Sequence, residues 1–405
     1  MRICGGLGRR SNLAHEQNQG RGDGEGDHYC AEGIGVTMLG GMPVRRRPIP
    51  PRAKQAIEID SWMSYDIYQD VDRPLIAPAA LNGGKIGPAA ARHHSGIRLS
   101  GPDDLIQLKD LIMSRTVLIT GASSGFGRDA AETLAHAGHR VFASMRDIAD
   151  RNGPHAKALR AKGIHVVELD VTDDASVARG VAEVFAQAER LDVLVNNAGI
   201  GSAGVSEAFA TDQVRALFDV NVFGVQRMLR AVLPAFRRQG EGLVVNIGSV
   251  LGRVTFPFLG LYGASKFAVE ALTDSYRYEL SQLGVDVVLV QPSAYPTNFF
   301  ASIQQPADAA RGDAYGEIGA IPAKMLETFK GMLQGENAPR PQDVAEAITR
   351  LVEQPNGSRP ARTVVGQPFG VDAVNAQTAP IQAQVVEGLG LGQLAAPPSA
   401  PAAAA

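Results

Sequence analysis

The stretch TVLITGASSGFG, residues 116 to 127, decides the fold of this chain. Its first half is an apolar run of strand length, and its second half holds glycines at 121, 125 and 127 before a helical pattern begins. Such glycines let the chain turn tightly and let backbone amides approach a phosphate, which a helix N-terminus also attracts. A strand, a glycine-rich turn and a helix in this order predict a pyrophosphate-binding loop, although the glycines alone would fit any tight turn.

Further apolar runs of strand length follow, and the gaps between them carry the period of an amphipathic helix. The runs span residues 116–120, 140–144, 165–169, 193–196, 243–247, 285–290 and 363–365, and the helical gaps include 127–137, 176–188, 211–238 and 263–283. Strands that alternate with helices pair in parallel, and right-handed crossovers place helices on both faces of the sheet. We therefore predict a single α/β domain over residues 113 to 390, with a doubly wound parallel sheet of about seven strands.

Residues 1 to 112 differ in kind from this domain. They are rich in Gly, Arg, Pro and Asp, hold the only tryptophan, Trp62, and show no sustained strand or helix period. We interpret them as a disordered extension or a mis-assigned start, because a domain beginning at Met113 would open directly on its first strand. A genuine regulatory or targeting arm, with the basic VRRRPIPPR at 44–52, fits equally well. Residues 391 to 405 are predicted to be a low-complexity tail.

Composition narrows the kinds of partner. The 405 residues carry a net charge of -3, which gives no general attraction to nucleic acid or anionic membranes, so we expect a small-molecule partner. The only cysteines, Cys4 and Cys30, lie outside the motif-bearing region, and no metal site is predicted. No apolar run has membrane-spanning length and no hydrophobic signal region follows the N-terminus, so a cytoplasmic location is expected.

Tyr262 and Lys266 indicate a proton-handling site. They are four residues apart in a helical stretch, so both side chains lie on one face, and Ser249 lies thirteen residues before Tyr262. An ammonium about 4 Å from the phenol would lower the tyrosine pKa, by at most about 3 units, towards neutral pH. Tyrosine and lysine also occur at this spacing by chance in many helices, so the pair alone is a weak signal of acid–base catalysis.

The end of the second strand indicates which dinucleotide binds. An acid there would bind the ribose 2'-hydroxyl, but Met145 occupies that position and Arg146 follows it, able to meet a 2'-phosphate. NADP is therefore favoured over NAD, unless Arg146 is only a solvated surface residue. After the third strand, Asp170 and Val171 are placed to contact an adenine edge, and Asp170 could equally cap the next helix.

Several motifs occur in a fixed order and spacing, namely TGASSGFG at 120–127, LDVTD at 169–173, NNAG at 196–199, Asn221, Ser249 and YGASK at 262–266. With them the chain resembles the short-chain dehydrogenases/reductases, a family with a Rossmann-type fold, over residues 114 to 390. The resemblance implies that Ser249 binds the substrate oxygen and that Tyr262 donates or accepts its proton. It also implies that Lys266 lowers the tyrosine pKa and binds the nicotinamide ribose, and that the Asn221 backbone holds a water of the proton relay.

The same resemblance implies a set of cofactor-binding residues. They are Gly121, Ser123, Ser124, Gly125, Phe126, Gly127, Arg146, Asp170, Val171, Asn197, Ala198, Gly199, Tyr262, Lys266, Pro292 and Thr297. One position departs from the family pattern, because the glycine that usually follows the sixth-strand proline is Ser293 here. We expect this serine to change the local turn and not the chemistry.

Residues near Ser249 and Thr297 indicate an apolar substrate, although such side chains are also common in cores. They are Leu251, Val254, Phe256, Phe258, Leu259, Phe299 and Phe300. Residues 301–337 would form a mobile lid or a plain surface insertion. The resemblance further implies a homodimer or homotetramer.

The sequence therefore predicts an NADP-preferring oxidoreductase, with NAD possible, that interconverts a carbonyl compound and a secondary alcohol. One alternative is a non-catalytic NADP-binding redox sensor or scaffold, which need not keep Ser249, Tyr262 and Lys266 together. Another is an epimerase or dehydratase on a related fold. Such enzymes need a larger C-terminal substrate domain than the roughly 100 residues after Thr297 provide.

Overall fold

Parallel strands form the centre of the molecule. The structure is a computed structural model that describes residues 114–335 and 338–395. The strands of these residues are β1 Thr116–Ile119, β2 Arg140–Met145, β3 His165–Glu168, β4 Val193–Asn196, β5 Gly242–Ile247, β6 Val285–Pro292 and β7 Arg362–Val365. Most strand positions are buried, as expected for a sheet that is covered on both faces. The predicted strand bounds are confirmed to within two residues.

The seven strands of the described residues make one sheet in the order β3-β2-β1-β4-β5-β6-β7, and all neighbours pair in parallel. The direction of winding reverses between β1 and β4, where Val117 lies beside Val193. The carboxyl ends of the strands leave a crevice at such a reversal, and ligands bind there. The predicted doubly wound α/β fold is thus confirmed, and it places the binding crevice after β1 and β4.

Helices cover both faces of the sheet. Alternate side chains of β1 point to opposite faces, so that Val117 and Ile119 enter one core and Leu118 enters the other. The first core is completed by α1 Gly125–His136, α2 Gly153–Arg160 and α9 Gln342–Glu353. The second core is completed by α3 Asp174–Gln187, α5 Gly224–Gln239 and α6 Gly260–Ser281. The other helices are α4 Thr211–Phe218, α7 Ala309–Asp313, α8 Ile321–Met332 and α10 Val371–Gly388.

Residues 211–238 are helical, as predicted, but the α-helix is interrupted once. A π-helical turn, Asp219–Phe223, separates α4 from α5, and the Gly224 amide donates to the carbonyl of Asp219 five residues earlier. Turns of this kind widen a helix locally and are frequent at functional sites. Asn221, a predicted site residue, lies in this turn.

Other predictions concern the ends of the chain. The extension over 1–112, the start at Met113 and residues 396–405 lie outside the described residues. The predicted tail begins within them, where Gly392–Ala395 form a 3-10 turn and the Gln282 side chain donates to the Gln393 carbonyl at 2.7 Å. Among the helices that the structure describes, none combines the length and the apolar character needed to cross a membrane.

Candidate active site

The turn after β1 presents backbone to the crevice. Gly121 and Gly125 have φ of +66° and +54°, a left-handed conformation that favours glycine. A Cβ on Gly121 would lie 2.8 Å from the Ala198 Cα, and a Cβ on Gly127 would lie 2.6 Å from the Gly121 carbonyl oxygen. The Ser124 side chain does not cap α1, so the amides of its first turn remain available to an anion. This turn fits the pyrophosphate of a dinucleotide.

Thr120 joins this turn to the segment after β4. Its hydroxyl accepts hydrogen bonds from the amides of Asn197 and Ala198, at 3.0 and 3.1 Å, and its carbonyl accepts one from the Asn197 side chain at 2.9 Å. Asn197 therefore holds two strand ends at a fixed distance. The sequence did not single out Thr120, because a threonine that ends a strand carries no local signal of such a role.

The crevice is a cavity of about 490 Å³. The predicted cofactor residues that line it are Gly121, Ser123, Ser124, Gly125, Phe126, Arg146, Asp170, Val171, Asn197, Ala198, Gly199, Tyr262, Lys266, Pro292 and Thr297. Gly127 does not line it, because it packs beneath the turn against Asn197 and Gly121. The remaining lining residues include Ser249 and several large apolar side chains, so one cavity joins the phosphate-binding turn to the catalytic residues.

Charged residues line the cavity after β2. Arg146 Nη1 lies 3.5 Å from Asp170 Oδ2, so the arginine that was predicted to meet a phosphate is paired with the aspartate. Burial acts to raise the pKa of Asp170, but hydrogen bonds from Thr172 and the charge of Arg146 lower it overall. Arg151 lines the same end and pairs with Asp147 at 2.8 Å. Arg151 could not be predicted from the sequence pattern, because it lies beyond the strand end that carries the residue selecting the dinucleotide.

Ser249 and Tyr262 meet at the other end. Ser249 follows β5, and its hydroxyl oxygen accepts the amide hydrogen of Leu251 at 3.1 Å, which leaves its own hydrogen free to donate. The Ser249 and Tyr262 side chains both line the cavity, and the Ser249 hydroxyl acts on the phenol as a hydrogen-bonding partner that lowers the pKa of Tyr262. Tyr262 lies in the first turn of α6 and Lys266 one turn later, and both line the cavity.

The predicted lowering of the tyrosine pKa is not observed in this structure. Burial raises the pKa of Tyr262, and the hydrogen bond with Ser249 offsets only part of that rise. Lys266 Nζ lies 5.8 Å from the centre of the tyrosine ring and donates to the Ile247 carbonyl at 2.8 Å. Burial lowers the pKa of Lys266 to about 8. The spacing of Tyr262 and Lys266 is visible in the sequence but their burial is not, and burial decides the direction in which the tyrosine pKa shifts.

Asn221 lies behind the cavity and does not line it. Its side-chain oxygen accepts the Ile200 amide at 2.9 Å, and its side-chain nitrogen donates to the Ile200 carbonyl at 2.9 Å and to the Ser265 hydroxyl at 3.0 Å. The side chain thus ties the segment after β4 to the catalytic helix. Through this contact the π-helical turn is joined to the residue that precedes Lys266.

Ser293 is accommodated by a glycine on the neighbouring strand end. Its amide donates to the Val365 carbonyl at 3.0 Å, and its hydroxyl accepts the Gln367 amide at 3.1 Å. Gly366, with φ of +85°, leaves room for this hydroxyl, since a Cβ there would collide with Ser293 Oγ and would also lie 2.6 Å from the Tyr295 hydroxyl oxygen. The serine therefore adds a hydrogen bond between the segments after β6 and β7.

Aromatic rings form the wall of the cavity near Tyr262. The Phe299 ring lies 5.5 Å from the Tyr262 ring, and the Phe256 ring lies 5.3 Å from Phe369 and 6.5 Å from Phe329. Of the apolar residues predicted here, those that line the cavity are Leu251, Phe256, Leu259, Phe299 and Phe300.

Two of the predicted wall residues do not line the cavity. Val254 packs into a small core with Leu251, and the Phe258 carbonyl accepts the Gly204 amide at 2.8 Å. The predicted lid does reach the site, because Leu326 and Phe329 of α8 line the cavity. Its mobility stays a prediction. Sequence reasoning missed Phe329 and Phe369 because nothing near them in the chain marks a site.

Several known proteins resemble this chain. Residues 115–308 match the family model described as short chain dehydrogenase. The 3-ketodihydrosphingosine reductase of Bacteroides thetaiotaomicron is 33% identical over 250 residues, which cover 62% of this chain and 87% of the relative. Retinol dehydrogenase 8 of Homo sapiens is 35% identical over 253 residues, which cover 59% of this chain and 78% of the relative.

Solved structures share the fold. A short chain dehydrogenase/reductase from Burkholderia phymatum in complex with NAD has a TM-score of 0.55 at 26% identity and covers 72% of this chain and 98% of its own. An actinorhodin polyketide ketoreductase variant with NADPH has a TM-score of 0.53 at 27% identity and covers 64% of this chain and 97% of its own. Fold and site define a dinucleotide-dependent oxidoreductase acting on CH–OH and C=O groups. The chain belongs to the short-chain dehydrogenase/reductase family.

Proposed function

We propose that the protein is an NADP-preferring oxidoreductase that interconverts an apolar carbonyl compound and its secondary alcohol. Tyr262 donates the proton in reduction and accepts it in oxidation. The observation that carries the proposal is that Ser249, Tyr262 and Lys266 line one cavity with both the glycine turn and the aromatic wall.

The Ser249 and Tyr262 hydroxyls line the same cavity, which suits proton transfer to or from a substrate oxygen bound there. The bound nicotinamide supplies the hydride in reduction and accepts it in oxidation. Negative charge that develops on the substrate oxygen is stabilised by the hydroxyls of Ser249 and Tyr262. Because burial raises the pKa of Tyr262, the phenol keeps its proton at neutral pH, as a general acid must. Lys266, whose pKa is about 8, is mostly charged at neutral pH and stabilises the phenolate that remains.

Two arginines support the preference for NADP. Arg146 and Arg151 both line the cavity after β2, and Met145 stands where an acid would select the ribose hydroxyl of NAD. Their carboxylate partners, Asp170 and Asp147, hold the two guanidinium groups near this end. A 2'-phosphate would form charge-assisted hydrogen bonds with these guanidinium groups, in competition with the two aspartates.

The aromatic wall supports an apolar substrate. Phe256, Phe299, Phe329 and Phe369 line the cavity near Tyr262, so a substrate there would meet rings on several sides. The similar proteins include a 3-ketodihydrosphingosine reductase and a retinol dehydrogenase.

We also propose a cytoplasmic homodimer or homotetramer. The exposed rings of Phe223, in the π-helical turn, and of Phe267, on α6, support self-association. Light scattering should therefore give a mass of two or four chains, whereas a monomer would refute the assembly. Cell fractionation tests the location.

A carbonyl screen tests the proposed activity. Acetone, cyclohexanone and acetophenone are offered with NADPH and, separately, with NADH, while oxidation of the cofactor is followed optically. We expect kcat/KM to rise with the apolar surface of the ketone and to be higher with NADPH. Equal values for the three ketones would contradict the apolar wall, and higher values with NADH would contradict the cofactor preference.

A further inference from the structure

A buried carboxylate lies one helical turn beyond Lys266, and the proton transfer proposed above does not use it. Glu270 is 3% exposed and lies on α6, the helix that carries Tyr262 and Lys266. Its two oxygens accept hydrogen bonds from Gln291 Nε2 at 2.5 Å and from Arg362 Nε at 2.9 Å. Burying a carboxylate is costly unless it is paired, so this one must be held by its partners.

The hydrogen bonds of Glu270 belong to a ring of polar contacts, which an ion pair with Arg253 closes. Arg253 Nε lies 3.3 Å from Glu270 Oε2 and donates to Asn375 Oδ1 at 3.1 Å. Asn375 Nδ2 donates to Gln291 Oε1 at 2.7 Å, and Gln291 donates back to Glu270. The ring joins α6 to the turn Val250–Gly252, to β6 and to α10, and three of these elements carry residues that line or adjoin the cavity.

The turn Val250–Gly252 is the element that positions Ser249. A Cβ on Gly252 would lie 2.9 Å from Glu270 Cγ and 3.1 Å from the Lys266 carbonyl oxygen, so the turn touches α6 through its backbone. Ser249 is tied to the same turn by the hydrogen bond from the Leu251 amide. A shift of the turn relative to α6 would therefore move the Ser249 hydroxyl relative to the phenol of Tyr262.

We propose that Glu270 is a positioning residue, which holds the turn after Ser249 against α6 and thereby keeps the Ser249 and Tyr262 hydroxyls in register. The inference rests on the proposed role of this hydroxyl pair. Glu270 contacts the turn in two ways, through its own methylene groups at Gly252 and through the guanidinium of Arg253. Arg362 and Gln291 hold the carboxylate from the opposite side.

A second buried ion pair, between Asp286 at the start of β6 and Arg359, provides a matched control. Arg359 Nη1 lies 2.7 Å from Asp286 Oδ2, and both side chains are largely buried. This pair lies at the start of β6, whereas Gln291 lies at its end next to Pro292. Glu270→Gln and Asp286→Asn each remove the charge of one buried carboxylate and keep its shape. Only Glu270 lies beside the turn Val250–Gly252.

The experiment compares these two variants with the wild type and with Tyr262→Phe. It measures kcat and KM for the fastest ketone of the screen, the Kd of NADPH from its fluorescence, and the midpoint of thermal unfolding. Glu270→Gln should lower kcat roughly 10- to 100-fold, as expected for a small misplacement of reacting groups, and leave the Kd of NADPH unchanged. Asp286→Asn should lower the unfolding midpoint without lowering kcat.

Two results would overturn the proposal, namely an unchanged kcat in Glu270→Gln or an equal loss of kcat in Asp286→Asn. If Glu270→Gln does not fold, Arg253→Gln decides, because it removes the link to the turn and leaves the Glu270–Arg362 pair intact. It should lower kcat at unchanged Kd of NADPH, and an unchanged kcat refutes the positioning role. If Tyr262→Phe keeps full turnover, the proposed function itself fails. If only Tyr262→Phe lowers kcat, the positioning role alone fails.

Discussion

At the nucleotide end of the cavity the chain presents backbone, and at the substrate end it presents aromatic rings. The turn with Gly121 has no room for a side chain, because a Cβ there would meet Ala198. The opposite wall is made of Phe256, Phe299, Phe329 and Phe369, which come from separate segments. We call this glycine turn the backbone cradle. It fits the pyrophosphate that all dinucleotides share, and it has no room for an added side chain. A wall of side chains can be changed one ring at a time, so it suits the selection of a substrate.

Of the changes that compare the two ends of the cavity, the one with the largest predicted effect removes the backbone cradle. Gly121→Ala should raise the Kd of NADPH roughly 100-fold or more, because its methyl group meets the Ala198 backbone in a turn that must bind phosphate. Gly138→Ala is the control, since Gly138 also has a left-handed φ, +88°, but has open space around it. Fluorescence titration of both variants checks this. If both variants lost the same affinity for NADPH, the loss would come from backbone strain and not from a blocked phosphate-binding turn.

The substrate wall should respond to a single ring. Phe369→Ala should lower kcat/KM roughly tenfold for acetophenone and leave acetone unchanged, because only the larger ketone reaches this ring. Steady-state kinetics with both ketones measures the change. Met332→Ala, on α8 but not lining the cavity, serves as the control. A loss of the same size with acetone would show that the wall supports the fold and does not select the substrate.

The charged residues after β2 test the cofactor preference. Arg146→Ala should raise the KM for NADPH several-fold, the range of one exposed charge-assisted hydrogen bond, and leave the KM for NADH unchanged. Arg151→Ala, at the same end, should act in the same direction. The two KM values are measured for each variant with one ketone. An equal change with both cofactors would refute contact with the 2'-phosphate.

The smallest predicted effect concerns pH. Lys266 has a pKa lowered by burial to about 8, so its ammonium is lost as the pH rises through that value. The kcat/KM for reduction should therefore be constant below pH 8 and fall above it, because the phenolate left by proton transfer loses its counter-charge. Lys266→Arg should move this fall to higher pH, since an arginine stays charged. A profile that does not change above pH 8 would contradict the role of the lysine.

The nucleotide end could be predicted because its signals are local. The strand, the glycines at 121, 125 and 127 and the following helix are adjacent in the chain, and the same is true of Tyr262 and Lys266. Phe369 lies more than a hundred residues after Tyr262, and its left-handed φ of +49° is invisible in the sequence. Thr120 was missed for the related reason that its partners, Asn197 and Ala198, lie on another strand end.

Two features that the sequence does not reveal, the raised pKa of Tyr262 and the π-helical turn at Asn221, share one physical cause. The rise in the pKa of Tyr262 comes from burial, and burial depends on what packs around the ring, including Phe299. The π-helical turn holds Asn221 where its side chain makes hydrogen bonds with Ile200 and Ser265, which are distant in the chain. Spacing along a helix shows which side chains share a face. It does not show what the rest of the molecule places against that face.

The change Tyr262→Phe tests the central claim, proton transfer by Tyr262, most directly. It removes one hydroxyl and keeps a ring that can pack against Phe299. We predict that kcat falls roughly 100- to 10,000-fold, the usual contribution of a general acid, while the Kd of NADPH is unchanged. A kcat within a few-fold of the wild type, at unchanged NADPH binding, would contradict the account.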